Sequence, residues 1–424
     1  MTWFFLAIII AVSAMVSYYK KDFFSPSTFF VLLYCCLLAI YSLKLTPIQT
    51  PWSPTTQLLF WGAIGLFLIG CFMVYMLAQN SFKPKIFSFS KIREDISNDS
   101  ETLDWHRFKI VWLICLIIYI FTFAYTYSVH PELPMFSHNP DKARYKFTTF
   151  MAVYGMHFGP LCLMMSVEML LFMPAKYGHR LLVWISSFFV LALYITLVSR
   201  IDIFRLIFFG VVLFNYGKKN ISVKNLIFLS CVGVFVFVMM SLIRVSNTAA
   251  ESFITNLHLK IPKEYAWSAT FYGYISNNFW NFDYGVQKFV DGNNSFPFGY
   301  GYYMFRGFYF LTFLMAHIEY MFGFSDLFNG SIVKVTGLNS VVFPWHFFSN
   351  FGCYGVFLLS LLSGLLISIY YLNTFRKATL FRLTIWALLV GIITMSFMVP
   401  YWEFWMLYMN IIMFALAHGK LRFR

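Results

Sequence analysis

The chain has 424 residues, of which 60% are hydrophobic, 22% aromatic and only 11% charged, with a mean hydropathy of +0.70. A soluble domain carries roughly 25% charged residues. The composition therefore excludes a water-soluble enzyme and implies an all-α polytopic membrane protein, since the apolar runs are too long for barrel strands. The formal charge of +14 does not point to nucleic acid, because the Lys and Arg residues cluster beside apolar runs and no basic stripe accompanies a soluble fold.

At about 20 residues per span, about eleven runs read as transmembrane helices. They cover 2–19, 27–44, 57–78, 108–129, 151–173, 181–199, 201–216, 225–244, 348–372, 383–399 and 402–418. The first run has no positive residue ahead of it and Lys20 and Lys21 behind it. That order is the reverse of a signal peptide's and reads as a retained helix with its N-terminus outside. Segments dense in positive charge are YYKKDF, the 79–107 connector with Lys83, Lys85, Lys91, Arg93 and Arg107, AKYGHR, YGKKNISVKN, TFRKATLFR and GKLRFR. Counting the spans from an outside N-terminus puts every one of them in the cytoplasm. The 79–107 connector mixes both signs (KIREDISNDSETLDWHR) and reads as a solvated cytosolic segment.

Residues 1–424 read as a single integral membrane domain without internal repeats, which argues against a transporter built from two similar halves. Two longer outer segments stand out, 130–150 and 245–347, with the tight turn LVSRIDIFRLI between spans six and seven at the same face. Residues 303–323 are apolar enough to cross. One more crossing would place TFRKATLFR and GKLRFR outside, so 303–323 is expected in the interface or re-entering from the outer face.

Cations on the outer side need a reason. Arg144, Arg200, Arg205, Arg244 and Arg306 fall there, and Arg200 and Arg244 each end a long apolar run. Guanidinium groups bind phosphates through two parallel hydrogen bonds and keep their charge. Together these residues suggest a cradle for a lipid-linked diphosphate. The alternative is headgroup snorkelling or structural pairing, and Asp202 lies three residues before Arg205 on one helix face.

His346, in FPWHFF, suits proton transfer at neutral pH or an interfacial anchor. His317 has Glu319 nearby, and His130 and His138 lack further ligands at a metal-like spacing, so no metal is expected. Glu168 is a carboxylate within span five, either a proton-relay group or a bond to a neighbouring helix. The aromatic runs YGYISNNFWNFDYG and FPFGYGYYMFRGFYF would serve either as a sugar-stacking wall or as an interfacial belt. The seven cysteines sit in or beside apolar runs and read as packing residues.

The segment GLNSVVFPWHFFSNFGCYG, with Asn339, Ser340, Phe351, Gly352 and Gly355, resembles the late motif of O-antigen and capsule repeat-unit polymerases of the Wzy type. That motif has an Asn-Thr or Asn-Ser pair, an aromatic stretch, Asp-Phe-Gly and a further Gly. LVSRIDIFRLIFFG looks like the family's Ser-Arg turn, and the late outer segment also matches. Asn350 stands where an Asp is often found, Ser340 replaces the commoner Thr, and no Gly precedes Ser199.

The resemblance implies a bacterial inner-membrane glycosyltransferase acting at the periplasmic face. Such an enzyme moves a growing glycan from an undecaprenyl diphosphate carrier onto the non-reducing end of a new lipid-linked repeat unit, without metal or nucleotide. It leaves room for a chain-length-regulating co-polymerase as partner. On this reading Arg200, Arg205, Arg244 and Arg306 bind diphosphate, and His346 or Asp283 accepts the hydroxyl proton. Asn339, Ser340, Asn350, Gly352 and Gly355 shape the glycan-facing loop. The competing expectations are an O-antigen ligase and a lipid-linked oligosaccharide flippase.

Overall fold

The computed structural model describes residues 2–15, 22–81, 88–197, 199–244, 258, 260–262, 265–292, 294–296, 298–312, 314, 319, 332, 340–398 and 404–421. No strand occurs among them; the regular elements are helical. In order these are α1 (Thr2–Met15), α2 (Pro26–Tyr41), α3 (Pro54–Ser81), α4 (Phe89–Thr102), α5 (Trp105–Val129), α6 (Pro140–Lys146), α7 (Phe150–Gly155) and α8 (Phe158–Phe172). There follow α9 (Arg180–Thr196), α10 (Arg200–Gly217), α11 (Val223–Arg244), α12 (Ala266–Val286), α13 (Tyr302–Leu311), α14 (Phe343–Arg376), α15 (Leu380–Met395) and α16 (Trp405–Ala417).

Among the described residues, Pro54–Ala78, Trp105–Val129, Phe150–Phe172 and Phe343–Arg376 are long and apolar enough to cross a bilayer. The runs expected at 2–19, 27–44, 181–199, 383–399 and 402–418 are represented by shorter apolar helices. The protein is a helical membrane protein.

The chain forms two compact units. The first comprises Met1–Ile86, Phe253–Asn373 and Leu389–Met409; the second comprises Phe87–Ser252, Thr374–Leu388 and Asn410–Arg424.

In the first unit, Phe30 of α2 stacks on Phe67 of α3 with ring centroids 4.1 Å apart. Helices α3 and α14 meet backbone to backbone. A Cβ at Gly364 would collide with the Phe67 carbonyl, and one at Gly70 with the Leu361 carbonyl. Lipid supplies no hydrophobic force between helices, so close van der Waals approach at small residues does the work.

The expected outer loop 245–347 holds helices among its described residues. Residues Ala266–Val286 form a 21-residue helix, α12. Tyr272, Ile275, Phe279, Trp280 and Phe282 are all buried, so this aromatic run is interior packing. The helix rests on the connector between α2 and α3: the Tyr272 hydroxyl accepts from the Leu45 N–H at 3.1 Å and donates to Gln49 Oε1 at 2.7 Å. Helix α13 has ten residues, about 15 Å, which is half the hydrocarbon thickness. It buries Tyr302, Tyr303 and Gly307 and exposes Phe305 and Phe308.

In the second unit, Trp112 Nε1 of α5 donates to Ser166 Oγ of α8 at 2.9 Å. Glu168 of α8 is fully buried; its Oε2 accepts from Thr384 Oγ1 at 2.7 Å, and its Oε1 lies 2.7 Å from His418 Nε2, just beyond α16. The carboxylate therefore joins three segments of the bundle, which is the structural alternative for this residue. The connector expected to be solvated holds α4, which buries Ile92, Ile96 and Ser100. The signal was present: Phe89, Ile92 and Ile96 recur at helical spacing beneath the charges.

Candidate functional site

The late motif lies in the first unit, where α14 breaks. Phe351 has φ −141 and ψ 18, and Gly352 has φ 65 and ψ −157, both outside the helical region. A side chain at Gly352 would be strained by that backbone and would meet Phe298. A helix interrupted there leaves carbonyls of the preceding turn without their own ladder partners. They are taken up by the chain ahead of α13: Ser349 O accepts from the Gly299 N–H at 2.9 Å, and Asn350 O from the Tyr300 N–H at 3.0 Å. Gly355 is packed so closely that a Cβ would stand 2.7 Å from the Phe347 carbonyl.

The Asn350 side chain is 1% exposed. Its Oδ1 accepts from the N–H groups of Gly301 at 3.0 Å and Met304 at 3.3 Å, and its Nδ2 donates to His346 O at 2.8 Å. Ser340 is fixed by α12: its hydroxyl accepts from Asn277 Nδ2 at 3.3 Å and its carbonyl from Asn281 Nδ2 at 2.9 Å. Asn277 and Asn281 were not singled out from sequence. Two carboxamides four residues apart on one face of an aromatic segment were the available signal.

The two expected proton acceptors lie in the same unit and are buried, His346 at 3% and Asp283 at 4% exposed. Asp283 holds the entry to α3: Oδ1 accepts from the Ser53 N–H at 3.3 Å and Oδ2 from Gln287 Nε2 at 2.9 Å. Arg306 of α13 is one-third exposed and lies 3.7 Å from Glu319, whose carboxylate also accepts from the Tyr302 hydroxyl. Burial, and then the adjacent Glu319, raises the Tyr302 phenol above its usual range. The Tyr302 ring stacks on Tyr309 at 5.9 Å and 7°. Asn339 and His317 lie outside the described residues.

The second unit carries the Ser-Arg turn. Arg205 is buried and its Nη1 pairs with Asp202 Oδ1 at 2.8 Å. Asp202 also accepts from Ser199 Oγ at 2.8 Å and from the Tyr194 hydroxyl. The guanidinium thus faces a carboxylate of its own helix, which makes Arg205 a structural cation rather than an open diphosphate ligand. Arg200 opens α10 and Arg244 closes α11. The side chains of Arg200 and Arg244 lie outside the described part of the structure.

A cavity of about 350 Å³ in the second unit is lined by Asp99, Asp104, Arg107, His418 and Lys420, among others. Asp104 caps α5, Asp99 accepts from the Leu380 N–H at 2.8 Å, and Arg107 donates to Leu416 O at 2.6 Å. These groups hold helix ends together. Among the described residues no three His, Cys, Asp or Glu side chains group as a metal site would require. No family model, curated protein or solved structure matches the chain.

Proposed function

We propose that this membrane protein is a glycosyltransferase of the bacterial inner membrane that polymerises undecaprenyl-diphosphate-linked oligosaccharide repeat units at the periplasmic face. The observation that carries the reading is the use made of the late motif. Ser349, Asn350 and Gly352 act together to seat a short amphipathic helix whose second turn presents a partly exposed arginine, Arg306. A fixed cation at a membrane interface is what a departing lipid diphosphate requires.

In the proposed reaction, a hydroxyl oxygen at the non-reducing end of the acceptor glycan attacks the anomeric carbon of the donor. The new C–O bond forms as the bond to the diphosphate oxygen breaks, and the electron pair leaves on the diphosphate. Arg306 would stabilise the negative charge, and Arg200 and Arg244, which end α10 and α11 of the second unit, are separate candidates for a phosphate contact. Asp283 anchors Ser53 and Gln287, and His346 is buried. Asp283 and His346 both stand in the first unit with Arg306, and the reading gives the hydroxyl proton to one of them.

The test is the glycan ladder of a deletion strain complemented with wild type or with the Arg200→Ala, Arg244→Ala double variant. Wild type should restore long chains, and the double variant should leave single repeat units on the lipid anchor. A full-length ladder from the double variant would overturn the arginine assignment. A deletion strain with no repeat unit on its anchor would instead indicate a ligase or flippase.

A further inference from the structure

The first four N–H groups of an α-helix have no acceptor within the helix, and a side chain at the N-cap normally supplies one. The N-cap of helix α13 is Gly301, which has no side chain to give and sits at φ 97. Its capping oxygen comes from Asn350, 49 residues further along the chain. Asn350 Oδ1 reaches the Met304 N–H, the N3 donor a local cap would serve, and the N–H of Gly301 itself, which a capping box would serve from N3. The Nδ2 bond to His346 O fixes which end of the amide faces the helix. The break at Gly352 frees the Ser349 and Asn350 carbonyls for Gly299 and Tyr300, so the same few residues grip both the approach to α13 and its first turn.

We infer that Asn350 is a positioning residue for Arg306: it caps α13 from outside and thereby sets where the guanidinium stands. The inference rests on the proposed glycosyltransferase reading for its functional half and on geometry alone for its structural half. Arg306 lies in the second turn of α13, and its carboxylate neighbour Glu319 also receives the Tyr302 hydroxyl from the first turn. Loosening the first turn therefore moves both partners of the pair. The chemistry sets an order among substitutions. Aspartate keeps the acceptor and adds a negative charge that the helix N-terminus favours. It exchanges the donor to His346 O for a second oxygen that must turn away from that carbonyl. Alanine loses both.

The experiment uses the purified full chain as wild type, Asn350→Asp, Asn350→Ala, Arg306→Ala and the Asn350→Ala, Arg306→Ala pair. Amide exchange in a peptide covering 299–306 should quicken about tenfold in Asn350→Ala, the size of one lost cap, and stay within about twofold of wild type in Asn350→Asp. Polymerisation at varied donor concentration should show a donor KM raised about tenfold in Asn350→Ala and near wild type in Asn350→Asp. If Asn350 acts through Arg306, adding Asn350→Ala to Arg306→Ala should change the rate no further. Unchanged exchange in Asn350→Ala, or rate losses that multiply in the double variant, would overturn the inference. If the alanine chain does not accumulate, Asn350→Asp decides: a folded aspartate chain with fast exchange overturns the cap, and one with protected amides supports it. A wild-type chain that makes no polymer sinks the glycosyltransferase reading, while the exchange arm still decides the cap.

Discussion

The Ser199–Arg205 turn of the second unit and the 349–352 break of the first both carry polar motifs legible in the sequence, and they resolve their polarity in opposite ways. At the turn, the groups satisfy one another within eight residues: Tyr194 and Ser199 donate to Asp202, which pairs with Arg205. At the break, carbonyls and a carboxamide are released from their own helix and used on residues about fifty positions away. The first arrangement locks a cation inside. The second supports one, Arg306, near the surface. An arginine's place in the sequence therefore does not tell whether it is buried with a carboxylate of its own turn or held near the surface; the fold does.

The largest effect should come from opening the locked pair. Asp202→Ala leaves a buried guanidinium uncompensated and should cost about 3–5 kcal/mol. It would be measured as loss of thermal stability in detergent, with the Asp202→Asn, Arg205→Met double variant recovering much of it. A double variant no more stable than Asp202→Ala would contradict the pairing account. Next, Gly352→Ala forces a side chain into a backbone region that only glycine adopts readily and should cost about 1–3 kcal/mol. The same substitution should also speed exchange across 299–304, where the break is gripped; a change in stability without that local signature would separate the two features. The smallest stability effect belongs to Arg306→Ala, since a partly exposed pair at 3.7 Å is worth about 1 kcal/mol or less. Its effect on polymer synthesis should be far larger, about tenfold or more in kcat/KM, as for a lost charge-assisted contact to phosphate. Stability and activity falling in step would mean that Arg306 is structural like Arg205.

Local features were readable because both partners lie within a few residues. The i, i+3 spacing of Asp202 and Arg205 announced their pair, whereas the break at Gly352 falls inside a run that read as one span, 348–372. The capping role of Asn350 was not readable, because its recipients Gly301 and Met304 are distant in sequence and glycine offers no hint of the cap it borrows. Asp283 read as a candidate acceptor from its residue type, and only the fold shows its oxygens committed to Ser53 and Gln287. Helix α12 was hidden for a further reason. It is buried on every side from Ile275 to Asp283 and mixes Asn with aromatics there, so it has neither the apolar length of a span nor a polar face to mark it.

The sequence by itself determined that this is a helical membrane protein, because uninterrupted apolar runs in lipid must satisfy their backbone internally. Only the tertiary structure decided which polar side chains are locked and which remain presented. A hydrogen bond is settled by distance and direction, and Asn350 meets both with a helix that lies 49 residues away in the chain.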